Sequence, residues 1–129
     1  MPKKIYIIDD DPDIIESNTM ILEKEGYEVG ATTNPDDAEK KIIDAKADLI
    51  ILDVMMKGNT TEGFELAREL KKNEMIKNIP IIMQTSINQE KNYRFSDKDK
   101  DDYFMPVEEF LEKGAKPEVL INLVKKYLD

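Results

Sequence analysis

Large apolar residues occur in two patterns along this chain. Ile5 to Ile8, Leu49 to Leu52 and Ile81 to Met83 are continuous aliphatic runs, with a weaker one around Tyr27 to Val29. These runs are too short for helices and do not alternate with polar residues, so they suit strands covered on both faces, as in parallel sheets. The pattern predicts β1 near residues 4–8, β2 near 27–31, β3 near 48–52, β4 near 80–84 and β5 near 109–112.

Between the runs, apolar residues recur at helical spacing. Ala38, Ile42 and Ala45 follow Asn34 and Pro35, which read as an N-cap and first turn. Gly63, Leu66, Ala67 and Leu70 form a second stripe, and Leu120, Leu123, Val124 and Tyr127 a third behind Pro117. The helix opened by Asp11 and Pro12 has a looser stripe of Ile14, Ile15, Ile21 and Leu22. Strand and helix in alternation imply an α/β fold, a parallel sheet with right-handed crossovers on both faces. One stretch departs from the rule. "SINQEKNYRFSDKDKDDYFMPVEE" is polar and charged in its middle, so the fourth helix is expected to be short, irregular or replaced by a charged loop.

A chain of 129 residues is the size of one domain, taken as residues 1–129. Nineteen basic against 28 acidic residues give a net charge of -9, which repels nucleic acid and anionic membrane surfaces. No apolar run approaches the roughly 20 residues of a membrane span, and "MPKKIYII" breaks into acids too early for a signal peptide, so a cytoplasmic protein is expected. With no cysteine and no histidine, disulfides, thiolate metal sites and imidazole catalysis are excluded. Any chemistry must rest on carboxylates, hydroxyls and amines.

In open α/β sheets ligands sit beyond the carboxyl ends of the strands. Here those ends carry Asp9, Asp10 and Asp11 after β1, Asp53 after β3, Thr85 and Ser86 after β4, and Lys113 after β5. Each has an ordinary explanation alone. Asp11 is best read as a helix cap, Asp53 as a strand terminator, Thr85 as a β-branched strand residue and Lys113 as a surface lysine. Together they say more, because Asp9, Asp10 and Asp53 on neighbouring strands repel one another and call for a cation. Oxygen ligands that are few and leave room for water select magnesium over calcium.

"KKIYIIDDDPDI", "ADLIILDVMM", "IPIIMQTS" and "FLEKGAKPEVL" together resemble the receiver domain of two-component response regulators, over nearly the whole chain. The resemblance implies a flavodoxin-like, doubly wound five-stranded parallel sheet of order 2-1-3-4-5. It implies a signalling phosphoacceptor rather than an enzyme in the ordinary sense, catalysing only its own phosphorylation and slow dephosphorylation. Asp53 matches the acceptor of a phosphoryl group from the phosphohistidine of a histidine kinase or phosphotransfer protein. Asp9, Asp10, Asp53 and the backbone carbonyl of Met55 match the Mg2+ ligands, Asp9 mainly through water. Lys113 and Thr85 match the groups that bind the phosphoryl oxygens, and Thr85 and Phe110 match the switch pair that turns inward on activation. The expected partners are that kinase and a downstream protein target of unknown identity, with no direct nucleic acid contact, no membrane insertion and a homodimer as a further expectation.

The chain departs from the family pattern in places. Lys57 stands where proline is usual, and the glycine of the next helix matches Gly63, two residues late. Gly114 replaces the proline that usually follows a cis peptide; since a cis bond before a non-proline residue costs about 2.5–4 kcal/mol, Lys113 is expected to be held less rigidly. The span from Thr85 to Lys113 is also longer than usual. Met55 and Ile87, at positions that tune attack of water on the acyl phosphate, lack a side chain able to hydrogen-bond water, which predicts slow self-dephosphorylation. Three alternatives remain: a degenerate receiver acting as a phosphorylation-independent interaction module, an aspartate-nucleophile phosphatase, and a flavodoxin-like cofactor binder. The phosphatase would need a second acid where Met55 stands, and "DDDPD" would repel the phosphate of a cofactor.

Overall fold

The computed structural model describes residues 2–53, 62–85 and 107–128, with Glu62, Phe64 and Thr85 described in backbone only. In chain order the elements are β1 (Lys4–Ile8), α1 (Pro12–Lys24), β2 (Glu28–Thr32), α2 (Ala38–Ala45), β3 (Leu49–Asp53), α3 (Glu62–Lys72), β4 (Ile81–Thr85), β5 (Glu109–Glu112) and α4 (Pro117–Leu128). All neighbouring strands pair in parallel, in the order β2-β1-β3-β4-β5. This is the flavodoxin-like arrangement the resemblance implied. β2, β3 and β4 each run one residue later than the hydrophobic pattern suggested, so that Asp53 is the last residue of β3 rather than the first beyond it. The expectation for a fourth helix before β5 falls between residues 86 and 106 and lies outside the described residues.

The continuous aliphatic runs are explained by the two-residue period of a strand, which sends successive side chains to opposite faces. Tyr6, Ile8, Ile50, Leu52, Ile81 and Met83 pack under Ala38 and Ile42 of α2 and Ala67 and Leu70 of α3. Ile5, Ile7, Leu49, Ile51, Ile82 and Leu111 pack under Leu22 of α1 and Leu120 and Val124 of α4. β3 lies in the middle of the sheet with every residue buried. Each such leucine or isoleucine contributes about 1.5–3 kcal/mol by burial, which is why this strand tolerates no polar residue until its end.

Helix boundaries follow local chemistry. Asp11 caps α1 by accepting from the Asp13 backbone N–H, and Pro12 opens it, as expected. The helix closes at Gly26, whose φ of 96° favours glycine, with Gly26 N–H donating to Glu23 O and Tyr27 N–H to Leu22 O. The expected start of α2 needs correction. Asn34 does not cap the helix; its Oδ1 accepts from Asp36 N, and its own N–H donates to Thr32 Oγ1, closing a turn after β2. Pro35 therefore lies before the helix, which begins at Ala38 behind Asp37 with φ 62°. None of the described helices is long and apolar enough to cross a membrane.

Candidate functional site

Parallel strands bring all their carboxyl ends to one edge of the sheet. At that edge Asp9 follows β1 directly, Asp53 ends β3 and Lys113 follows β5. By strand alternation Asp53 shares a face with Leu49 and Ile51, the face covered by α1 and α4, and Lys113 shares it with Leu111. The result is a cup between residues up to 104 positions apart in the chain. Lys113 Nζ lies 3.0 Å from Asp53 Oδ1 and 3.3 Å from Asp9 Oδ2. Oxygens of Asp9, Asp10 and Asp53 lie within 4.8 Å of one another.

Asp9 and Asp53 are only 1% and 2% exposed, whereas Asp10 is open to solvent. Burial pushes the Asp9 carboxyl up from its ordinary value, opposed by the Asp11 backbone N–H on Oδ1 at 2.9 Å and by Lys113. Burial alone would lower Lys113, but the Asp53 and Asp9 carboxylates outweigh it and raise its pKa, so the ammonium stays charged. The Lys113 ammonium pairs with two of the three carboxylates, Asp53 and Asp9. Asp9 Oδ2 is fully buried and faces the Lys113 ammonium. Such an oxygen-only set of three converging carboxylates fits a small hard cation with water completing its shell.

The other sequence-derived residues fare differently. Thr85 ends β4 in register with Glu112, but its hydroxyl lies outside the described residues. Phe110 sits on β5 in register with Met83, half-buried against the core under α2 and α3. Met55, Lys57 and Ile87 lie outside the described residues. Gly63 is buried in the first turn of α3. No described peptide bond is cis, so Lys113 reaches both carboxylates across a trans bond to Gly114.

Sequence reasoning passed over two residues beneath the cup. Asn18 of α1 and Gln84 of β4 are 6% and 3% exposed, and Asn18 Nδ2 donates to Gln84 Oε1 at 2.9 Å. Both left a signal. Position 18 falls at helical spacing between Ile14, Ile15 and Ile21, Leu22, and Gln84 interrupts the aliphatic run of β4, so each is a polar residue at a core position.

The response regulator receiver domain model matches residues 5–125. Over 90 residues the chain is 46% identical to the phosphate regulon transcriptional regulatory protein PhoB of Pseudomonas aeruginosa, covering 70% of this chain and 38% of that protein. It is 39% identical over 89 residues to the transcriptional regulatory protein ResD of Bacillus subtilis, covering 69% of this chain and 35% of that protein. The chain thus spans less than two-fifths of the length of these relatives. Among solved structures, chemotaxis protein CheY4 of Vibrio cholerae superposes with a TM-score of 0.82 at 26% identity, covering 99% of this chain and 100% of that one. Response regulator TrrA of Thermotoga maritima, solved in complex with Mg2+ and beryllofluoride, gives 0.77 at 32% identity, covering 98% and 99%. With the fold, strand order and acidic cup of a receiver and a family match over almost its whole length, this chain belongs to the response regulator receiver domain family of two-component systems.

Proposed function

We propose that Asp53 accepts a phosphoryl group from the phosphohistidine of a histidine kinase or phosphotransfer protein, and that the product switches a protein-binding surface. The observation that carries this reading is the Lys113 ammonium between two buried carboxylates, 3.0 Å from Asp53 and 3.3 Å from Asp9. A carboxylate oxygen of Asp53 forms the new O–P bond in line as the N–P bond of the donor breaks, and the departing imidazole takes up a proton. No general base is needed, because a carboxylate oxygen attacks phosphorus without first giving up a proton. β3 is rigid and dry, so the acceptor is oriented before the donor arrives.

Asp10 and Asp53, with Asp9 through water and the Met55 carbonyl, would hold Mg2+. When bound there, it offsets the negative charge on the transferring oxygens. Lys113 compensates the same charge from the β5 side. In the product, Lys113 and the Thr85 hydroxyl bind phosphoryl oxygens, and movement of Thr85 toward them frees space into which Phe110 turns. The chain is a signalling phosphoacceptor acting in the cytoplasm, and its net charge of -9 directs its output to a protein rather than to nucleic acid. Met55 and Ile87 leave the acyl phosphate poorly served for attack by water, so self-dephosphorylation is slow.

Incubation with acetyl phosphate and Mg2+ tests the acceptor. Wild type takes up one phosphoryl group and Asp53→Asn takes up none; label retained by the variant moves the acceptor elsewhere. A wild type that neither takes up phosphate nor binds beryllofluoride with Mg2+ is a phosphorylation-independent interaction module instead. Phosphoprotein that decays within seconds in magnesium buffer overturns the slow-dephosphorylation reading.

A further inference from the structure

The Asn18–Gln84 pair lies inside the core, where hydrogen bonding costs the pair its hydration and where two apolar side chains would pack at least as well. Its place in the sheet gives it a use. Gln84 is the register partner of Asp53 on one side and of Leu111 on the other. By strand alternation its side chain stands on the same face as Asp53, toward α1 and α4, as Ile82 does two residues earlier. Adjacent strands are about 4.8 Å apart, so the Gln84 carboxamide is the immediate cross-strand neighbour of the acceptor carboxylate. Asn18 holds that carboxamide from α1, the helix that follows the acidic triplet, across 66 residues of chain.

The strand order makes the consequence specific. β1 and β3, which carry the acidic triplet and Asp53, pair directly with each other. β4, which carries Gln84 and ends in Thr85, and β5, which leads to Lys113, lie on the other side of β3. The hydrogen bond thus fixes α1 against the first strand of the second pair, at the level of the acceptor. We infer that Asn18 and Gln84 are positioning residues for phosphoryl binding, an internal amide clasp that sets the β4 side of the cup relative to the carboxylates on β1 and β3. This rests on the phosphoacceptor reading, and it concerns two residues that touch neither metal nor phosphoryl group in that reading.

The clasp predicts a split between two affinities. Mg2+ binding draws on β1 and β3 and should stay within about twofold of wild type in Asn18→Leu and Gln84→Met, which keep side-chain size but break the bond. Affinity for beryllofluoride in the presence of saturating Mg2+, followed by fluorine NMR, also needs the β4 and β5 side and should fall about tenfold. The exchange variant Asn18→Gln with Gln84→Asn keeps the combined length of the two amides and should recover most of that loss. If the single variants do not fold, the double variant Asn18→Leu with Gln84→Met, which buries no unpaired polar group, decides by the same two titrations. Variants that bind beryllofluoride like wild type, or that lose Mg2+ and beryllofluoride in equal proportion, overturn the inference. So does an exchange variant no better than the singles. A wild type that binds no beryllofluoride at all overturns the phosphoacceptor reading instead, and the two failures are therefore distinct.

Discussion

The two edges of the sheet treat charge in opposite ways. At the amino edge, Lys71 Nζ donates to the carbonyls of Lys77 and Ile79 and pairs with Glu108 at 3.2 Å. Glu108 Oε1 in turn accepts from the Ile81 backbone N–H at 2.7 Å, so the root of β4 is held by a carboxylate that already has a cation. Tyr127 and Lys126 of α4 both donate to Glu109 Oε2, at 2.7 and 2.6 Å. At the carboxyl edge Lys113 pairs with two buried carboxylates, Asp9 and Asp53, and the exposed Asp10 lies beside them. Among the described residues the amino edge pairs its carboxylates with cations near the surface, whereas the carboxyl edge buries two carboxylates around one lysine, and in the phosphoacceptor reading the second is the edge that receives the cation and phosphoryl group.

Four substitutions sharpen that contrast or break it. The largest effect belongs to Asp53→Asn, which should lower phosphoryl uptake from acetyl phosphate by at least about 100-fold, because an amide is not a nucleophile toward phosphorus. Measured uptake within tenfold of wild type would break the assignment of function to the carboxyl edge. At the amino edge, Lys71→Met should lose about 2 kcal/mol in urea denaturation, since it strips three acceptors of a partly buried donor, and should leave Mg2+ affinity unchanged. A neutral result would mean that this edge is no better matched than the other.

Asp9→Asn should act with the opposite sign on stability. Removing one of the crowded carboxylates should raise the stability of the Mg2+-free protein by about 1 kcal/mol, while weakening the gain in thermal midpoint that Mg2+ gives wild type. Loss of stability without Mg2+ would show the cup to be balanced already. The smallest effect is at Tyr127. Burial first, and then the Glu109 carboxylate, push its phenol from 10.0 up to about 12. The folded state holds that proton more tightly than the unfolded chain, so the contribution is whole below pH 10 and is lost as pH rises toward 12. Wild-type stability should therefore fall more steeply than that of Tyr127→Phe across this range, with identical slopes counting against the Glu109 contact.

Much of this was legible because strand ends are set by where aliphatic runs stop. Asp9 and Asp53 follow such runs and Lys113 follows the short Phe110–Leu111 pair of β5, and parallel topology brings strand ends together whatever lies between them. The one-residue offset at β3 has the same origin, since the backbone keeps its strand pairing through Asp53 although its side chain is no longer apolar. The start of α2 was misjudged because Asn34 serves equally as a cap or as a turn former, and only the Thr32 hydroxyl beside it decides for the turn. Asn18 and Gln84 went unread for a different reason. Each is an exception within an apolar pattern, and only a structure shows that the two exceptions meet.

β3 is hydrogen-bonded to β1 on one side and to β4 on the other, with no residue open to solvent. Fraying at the sheet margins, where β2 and β5 each have a single neighbour among the described strands, leaves it untouched. Its amide protons should exchange with deuterium only when the whole domain comes apart. In the proposed phosphorylated form, an acyl phosphate on that strand would keep its surroundings for as long as the protein stays folded, so its lifetime would be governed by the chemistry of the cup and not by transient local opening.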